Sequence, residues 1–394
     1  MIIEKFRIQK ITFTTLIVLL SALFIFSSCS VEKSKKIKVA FCNLPQEIEK
    51  SFTKELDQKF KNLKLEYFSI PPVSKVSAKA SARKYDLVFT WDGQSCELLK
   101  NYTQPVDKSL LSRLPNSSAS QVDKALPLLL NHYGLAFYVP VKNKYNARYP
   151  NNFAELERYL RRINGHVDYP FFVAAANDVE FMAFLSCFVE SYSGSEGYTS
   201  FIQALKDYKD IDTFIKTPLN YEINLGNIFE LLREWTSKGF LNQNWLELKK
   251  GDLQLLLEES SIGIIFLSLD DFHKMSYEMA KQISCDRFPV VNPKIPHAII
   301  APKIVCLNTS NKTVVFEIQD YLLNVQTQKR LSKSSTYAPA ESTCMAYDKQ
   351  SDDVRFLAAA CKAGPVDSAS SLVFENDLSR MSEICQEIRN YLKI

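Results

Sequence analysis

Three short runs, Lys38-Val39-Ala40-Phe41-Cys42, Leu63-Lys64-Leu65-Glu66-Tyr67-Phe68-Ser69-Ile70 and Asp86-Leu87-Val88-Phe89-Thr90, decide the fold together with the stretches between them. After Cys42, Asn43-Leu44-Pro45 turns the chain. Residues 46–60 then place Ile48, Phe52, Leu56 and Phe60 four apart, which gives a helix one apolar face. The second run alternates, and Pro71-Pro72 stops it because proline has no N–H to give a strand ladder. A polar, Ala/Ser-rich helix is predicted near 76–83. Residues 86–90 are apolar on both faces, as a strand buried in a parallel sheet requires. Strand, helix, strand, helix, strand predicts an α/β layered architecture.

The same alternation returns further along. Residues 133–139 (YGLAFYV) predict a strand, closed by Pro140. A helix follows at 153–163, with Leu156, Leu160 and Ile163 on one side, and a strand at 169–174. Residues 181–192 form a strongly apolar helix, 228–239 a helix with Gly239 as its stop, and 253–259 a short one. The strand 261–267 (SIGIIFL) completes a second α/β lobe. A strand-like run at 299–307, one long helix at 312–331 and amphipathic helices at 353–363 and 377–392 end the chain. No internal repeat or low-complexity tract is present.

Composition narrows the function. A chain of 394 residues suggests two to three domains, and 46% hydrophobic against 23% charged residues can build real cores. The formal net charge is only +4. That is too weak a basic field for a nucleic-acid binder. There are 10 glycines and no GxGxxG or GxxxxGK[ST] pattern, so no loop is suited to a nucleotide cofactor's phosphates. Eight cysteines follow Cys29, none in CxxC, and the four histidines show no HxxxH or HExxH spacing. No metal site is expected from these spacings, and no disulfide pair can be assigned. Cys187, in an apolar helix, reads as a small buried hydrophobe.

The N-terminus has the layout of an export signal. Lys5, Arg7 and Lys10 precede an apolar run over 11–26, and small residues follow it. The run is short for a spanning helix, which needs about 20 residues. Phe26-Ser27-Ser28-Cys29 resembles a relaxed bacterial lipobox. That resemblance implies a signal peptide over 1–28, lipidation of Cys29 and a charged tether over 29–36. The alternative is an uncleaved N-terminal anchor. Both place the body outside the cytoplasm.

Four stretches carry a wider resemblance. The first is Lys84-Tyr85-Asp86-Leu87-Val88-Phe89-Thr90-Trp91-Asp92. The second runs from Leu126-Pro127-Leu128 through Gly134-Leu135-Ala136-Phe137-Tyr138-Val139 to the helix after Pro150. The third is Lys249-Lys250-Gly251-Asp252 with the strand that ends in Phe266, although it lacks a leading Phe and an Ala-Met pair. The fourth, the most specific, is 315–323 with Gln326, Arg330 and Thr336-Tyr337-Ala338-Pro339-Ala340. Together these resemble the extracytoplasmic solute-binding proteins of carbohydrate-type, maltose-binding-like ABC importers. The resemblance covers about residues 37–340.

It implies a two-lobed periplasmic-binding-protein-like fold with a ligand cleft between the lobes. Lobe 1 would take 37–134 and 298–337. Lobe 2 would take 140–290 and 340–394, with crossover segments at 135–139, 291–297 and 338–339. The implied partners are a small polar solute, a sugar in the first place, the importer's permease subunits, and the membrane through Cys29. No cofactor and no catalytic residue are implied. With three tryptophans, Trp91, Trp235 and Trp245, the chain is poorer in them than this family usually is.

Ligands of α/β sheets sit beyond the carboxyl ends of strands. That points to Asn43 after the first strand and to Trp91, Asp92 and Gln94 after the third. In the second lobe it points to Asn177, Glu180, Ser268 and Asp270, and in the final turn to Tyr337. Helix capping competes as a role for Asn177, Ser268 and Asp270. Trp235 reads as helix packing and His297 as a loop residue.

A eukaryotic secreted glycoprotein stays open, since Asn101, Asn116, Asn308 and Asn311 fit the N-x-[ST] acceptor pattern, and so do two other functions. One is a surface lipoprotein of the same fold without a transport role. The other is a secreted hydrolase, for which Gly194-Ser195-Glu196-Gly197 is only an echo of GxSxG without its strand–turn–helix setting.

Overall fold

A computed structural model describes residues 36–115 and 123–393. The leader, Cys29 and residues 30–35 of the tether lie outside the described residues.

The chain begins with β1 (Lys36–Cys42), α1 (Gln46–Lys59), β2 (Lys64–Ile70), α2 (Ala78–Lys84), β3 (Leu87–Trp91) and α3 (Gln94–Lys100). β1 pairs in parallel with both β2 and β3. The apolar face of α1 covers one side of these strands, and the Phe52 ring lies 4.7 Å from that of Phe89. Each phenylalanine buried this fully contributes about 1.5–3 kcal/mol. After β4 (Ala125–Leu130) the chain leaves for the second lobe.

There it builds β5 (Tyr133–Tyr138), α4 (Phe153–Ile163), β6 (Tyr169–Phe172) and α5 (Asp178–Lys206). α6 (Leu225–Ser237), α7 (Leu253–Glu258), β7 (Ile262–Ser268), α8 (Leu269–Lys274) and β8 (Ile283–Asp286) follow. The sheet order is β6-β7-β5-β8. Trp235 and Trp245 are fully buried here among Phe153, Phe171, Phe181, Phe184 and Phe188. α5 runs past the end predicted for it and kinks at Gly194, whose φ of +72° suits glycine. The Gly194-Ser195-Glu196-Gly197 run therefore lies inside a helix and forms no nucleophile turn.

The chain returns through β9 (Ile299–Ile300), β10 (Lys303–Asn308), α9 (Thr313–Leu322), α10 (Val325–Ser335) and β11 (Ala338–Pro339). It ends with α11 (Lys349–Ala360), β12 (Pro365–Val366), α12 (Ala369–Phe374) and α13 (Leu378–Leu392). The first sheet then reads β11-β4-β10-β3-β1-β2. The single helix expected over 312–331 is two helices. Asn324 interrupts it, because its side chain accepts from Gln326 N and starts α10. β4 was not predicted as a strand; it is buried along its whole length and shows no alternation. Pro127 falls where the pairing of β4 with β10 slips by one residue, a bulge that tolerates the missing N–H.

The two sheets are joined at Asn131-His132, where Asn131 N donates to Pro302 O and Leu269 N donates to His132 O, both at 2.8 Å. β9 and β12 pair beside this crossing. Leu130, Leu269, Ile299, Ala301, Ala338, Val354 and Ala358 form a separate apolar cluster that draws on both lobes. Two predicted crossover stretches lie elsewhere. Residues 135–138 belong to β5, inside the second sheet, and 338–339 are β11, at the edge of the first.

Candidate functional site

The end of β1 sets the first wall of a cleft between the sheets. Asn43 holds φ +53°, a left-handed turn that asparagine tolerates. Its carbonyl accepts from Trp91 Nε1 at 3.1 Å, which fixes the indole at the end of β3. The Tyr337 ring lies 6.0 Å from that indole at 53°. α10 ends at Thr336 with φ +67°, and this left-handed cap delivers Tyr337 to the cleft. Tyr133, the first residue of β5, stacks on Phe266 at 5.7 Å.

The opposite wall comes from the last part of the chain. Ser368, Ser370, Ser371, Glu375, Leu378 and Met381 line it. The space between the walls is about 400 Å³, within the range of small-molecule sites. The lining combines the aromatic residues Trp91, Tyr133 and Tyr337 with aliphatic groups, serine hydroxyls, the amides of Asn43 and Asn131, and one carboxylate.

On one flank the lobes are bonded directly. Ser95 N donates to Glu375 Oε2 at 2.8 Å, Asn376 N to Gln94 Oε1 at 3.1 Å, and Asn376 Nδ2 to Val73 O at 3.1 Å. Gln94 Nε2 donates back to Val373 O. Gly93 permits this approach. A Cβ there would stand 2.7 Å from Ser371 O.

Asn43, Trp91 and Tyr337 thus meet in one cleft. The other six predicted residues do other work. Asp92 turns inward, 2.7 Å from Lys303 Nζ and 3.4 Å from Lys100 Nζ. Burial pushes its carboxyl up, but the two lysines outweigh that and hold it well below the usual carboxylate range. Gln94 bridges the seam. Asn177 caps α5, accepting from Val179 N and Glu180 N at 3.0 and 3.1 Å. Ser268 caps α8, paired reciprocally with Asp271. Asp270 accepts from Thr336 Oγ1 at 2.7 Å and pairs with Lys274 at 2.6 Å. Glu180 is buried and pairs with Lys250 at 2.7 Å, and burial raises its carboxyl. Each of these side chains already has a partner within the protein.

Asn131, Tyr133 and the whole 368–381 wall were missed. Only the Asp367-Ser368-Ala369-Ser370-Ser371 run offered a signal, a cluster of small polar residues ahead of a helix. Among the described residues all eight cysteines are free, and no group of His, Cys, Asp and Glu could hold a metal ion. No described helix is long and apolar enough to cross a membrane.

No family model and no curated protein matches the chain. Solved structures do. The bacterial solute receptor AcbH, which prefers β-D-galactopyranose, is 10% identical with a TM-score of 0.70, covering 92% of this chain and 98% of its own. RafE from Streptococcus pneumoniae in its apo form is 11% identical at 0.66, covering 92% and 99%. An extracellular solute-binding protein from Staphylococcus aureus, solved with maltose, is 13% identical at 0.59, covering 91% and 98%. The chain therefore has the two-lobed, periplasmic-binding-protein-like α/β fold.

Proposed function

We propose that this chain is the extracytoplasmic solute-binding component of an ABC importer. It binds a small polar solute, a sugar in the first place, reversibly and without chemical turnover. The observation that carries this is the cleft itself. The partly exposed Trp91 and the more buried Tyr133 and Tyr337 line it beside Asn43, Asn131 and three serines, and the two walls belong to different lobes. A sugar stacks its C–H face on aromatic rings and bonds its hydroxyls to amides and serines. A guest that touches both walls shifts the lobes toward the closed arrangement, because only that arrangement gives it both sets of contacts. Sugar receptors of the same fold support the reading.

Lobe movement would be taken up where the chain crosses, at Asn131-His132 and along the segments that lead to β10 and away from β11. The permease subunits of the importer would read the closed shape. Cys29 would carry lipid and hold the body at the outer face of a bacterial membrane.

The test is a thermal-shift and calorimetric screen of mono- and oligosaccharides, with mass spectrometry of any solute that copurifies. Binding of N but not U raises stability by mass action, so a true ligand lifts the melting temperature with concentration. A panel with no response, and no solute released on denaturation, would sink the proposal. Separately, labelled fatty acid should be incorporated by the wild type and not by Cys29→Ser.

A further inference from the structure

We propose that the cleft selects a cationic guest, a sugar or similar polyol bearing a protonated amine, which Glu375 receives opposite the aromatic faces. This rests on the cleft being the ligand site. Among the described residues Glu375 is the one charged residue that lines it, and no lysine, arginine or histidine does. Its side chain is 7% exposed. Ser95 N donates to Oε2 at 2.8 Å, Oε1 is buried without a hydrogen-bond partner, and burial pushes the carboxyl up against the opposing pull of Ser95 and Asn43. A buried carboxylate oxygen without a donor is costly, which is why burial raises this carboxyl, and an ammonium that reaches it through the cleft would hold the charged form with a charge-assisted bond.

The surroundings have the same sign. The charges of Glu180 and Asp271 act on Tyr133, and those of Asp270, Asp271 and Glu47 act on Tyr337. The bases among them are committed. Lys250 pairs with both Glu180 and Asp271 at 2.7 Å, and Lys274 pairs with Asp270. Behind Glu375, Lys303 is spent on Asp92 and on Pro365 O, and Lys100 on Asp92 and Glu97. Asp367 beside them keeps one oxygen without a partner, and burial and the charge of Asp92 push its carboxyl well up, so it takes no part in neutralising Lys303 beyond what Asp92 already does. On the side of Tyr133 and Tyr337, Glu47, Glu180, Asp270 and Asp271 therefore stand against Lys250 and Lys274, an excess of acid groups. The partly exposed indole of Trp91 in the same space adds attraction for a cation over its face. A carboxylate or phosphate guest would meet Glu375 with no base to pair it.

The experiment compares matched probes on the purified protein at about pH 6, where the sugar amines are charged. Glucosamine, galactosamine and the β-1,4-linked glucosamine disaccharide are set against glucose, galactose and cellobiose, and against glucuronate and galacturonate. In calorimetry the best amine is expected to bind at least roughly tenfold more tightly than its neutral parent, with no uronate binding. Glu375→Gln, checked for an unchanged melting profile, should bring that ratio close to one. Equal affinity of amine and parent in the wild type, or a preference for the uronate, overturns the charge selection while the sugar reading stands. No response to any sugar of any charge overturns both. A ratio that survives Glu375→Gln removes Glu375 from the proposal.

Discussion

The two walls of the cleft are built by different means. The first-lobe wall hangs on strand ends. Asn43 follows β1, Trp91 closes β3, and Tyr337 precedes β11, so a sheet fixes each one. The second-lobe wall owes little to its own sheet. Tyr133 begins β5, but the rest is α12, α13 and the loop between them, laid across α5 by the returning chain. A rigid aromatic wall faces a wall made of a short helix, small hydroxyls and aliphatic side chains. The two lobes of one such fold need not be built alike. One lobe presents a fixed platform, and the other presents an applied patch that can vary without disturbing a sheet.

The tryptophans give the largest test of that division. Trp235 has no exposure, packs on Phe153 at 5.3 Å, and its Nε1 donates to Glu157 at 3.0 Å. Trp235→Ala should cost about 3–5 kcal/mol of stability, as large-to-small core changes do. Urea unfolding would measure it. Trp91→Ala, at the platform, should cost less than about 1 kcal/mol of stability, because the ring is partly exposed to the cleft. The reverse outcome would mean that Trp91 is a core residue and the platform is misread.

The joints between the walls differ as well. His132 sits in the first crossing, and burial alone holds its imidazole down at about 4. The unfolded chain, with an ordinary histidine near 6.5, takes up the proton first as pH falls. The stability that neutral His132 lends is therefore complete above about pH 6.5 and is lost towards pH 4, roughly 3 kcal/mol in all. His297, on the way to the second crossing, behaves oppositely. Burial pushes it down, but Glu190 at 3.1 Å and Asn292 O at 2.9 Å prevail and raise it. Its contribution is complete below about pH 6.5 and fades as pH rises through the raised value. Chemical denaturation of His132→Gln should show a flatter loss between pH 6.5 and 4 than the wild type. His297→Gln should flatten the alkaline side instead. Identical slopes in both variants would remove the distinction between the joints.

How much of this was legible follows the same asymmetry. The first lobe announced itself because α1 keeps a helical period, β2 alternates and β3 is apolar on both faces, and because a ligand-facing residue there is the one after a strand. The rule failed where a nearer partner claimed the side chain. Asp92 follows β3 correctly, but Lys303 at the start of β10 takes its charge, and that pairing depends on a strand that returns from far along the chain. Ser268 and Asp271 form a capping pair three residues apart, visible in the sequence, so their local bond outcompetes a guest. The second wall could not be read. Nothing local says that α12 will face a cleft; its position depends on β12 pairing with β9 and on Ala369 N donating to Ser186 Oγ in α5.

Affinity should divide between the walls in the order of their rigidity. Trp91→Ala removes a large preorganised face and should weaken the ligand found in the screen by roughly tenfold to thirtyfold, about 1.4–2 kcal/mol. Met381→Ala trims a flexible aliphatic contact on the applied wall, and about threefold is expected, since a side chain with several rotors gives back entropy when removed. Calorimetry on both variants decides the order. A larger loss for Met381→Ala would make the second wall the energetic one.

The smallest effect concerns the seam, and two glycines make it a controlled comparison. At Gly93 an added Cβ would stand 2.7 Å from Ser371 O and 3.0 Å from Glu375 Oε2, both across the boundary between lobes. At Gly263 it would stand 2.0 Å from Ile163 Cδ1 and 2.8 Å from Pro170 O, both inside the second lobe. Each substitution forces neighbours apart, and overpacking of this kind costs about 1–3 kcal/mol where nothing can yield. In Gly263→Ala the obstacle includes a strand backbone, so the whole cost should appear as lost stability. In Gly93→Ala the lobes can part by a few tenths of an ångström. The stability cost should then fall to about 1 kcal/mol or less, and ligand affinity should drop instead, because the wedge strains the contacts of Glu375 and Gln94 that a closed cleft uses. A Gly93→Ala protein that binds normally but melts early would show that the seam is as fixed as a core, with the two walls moving as one body.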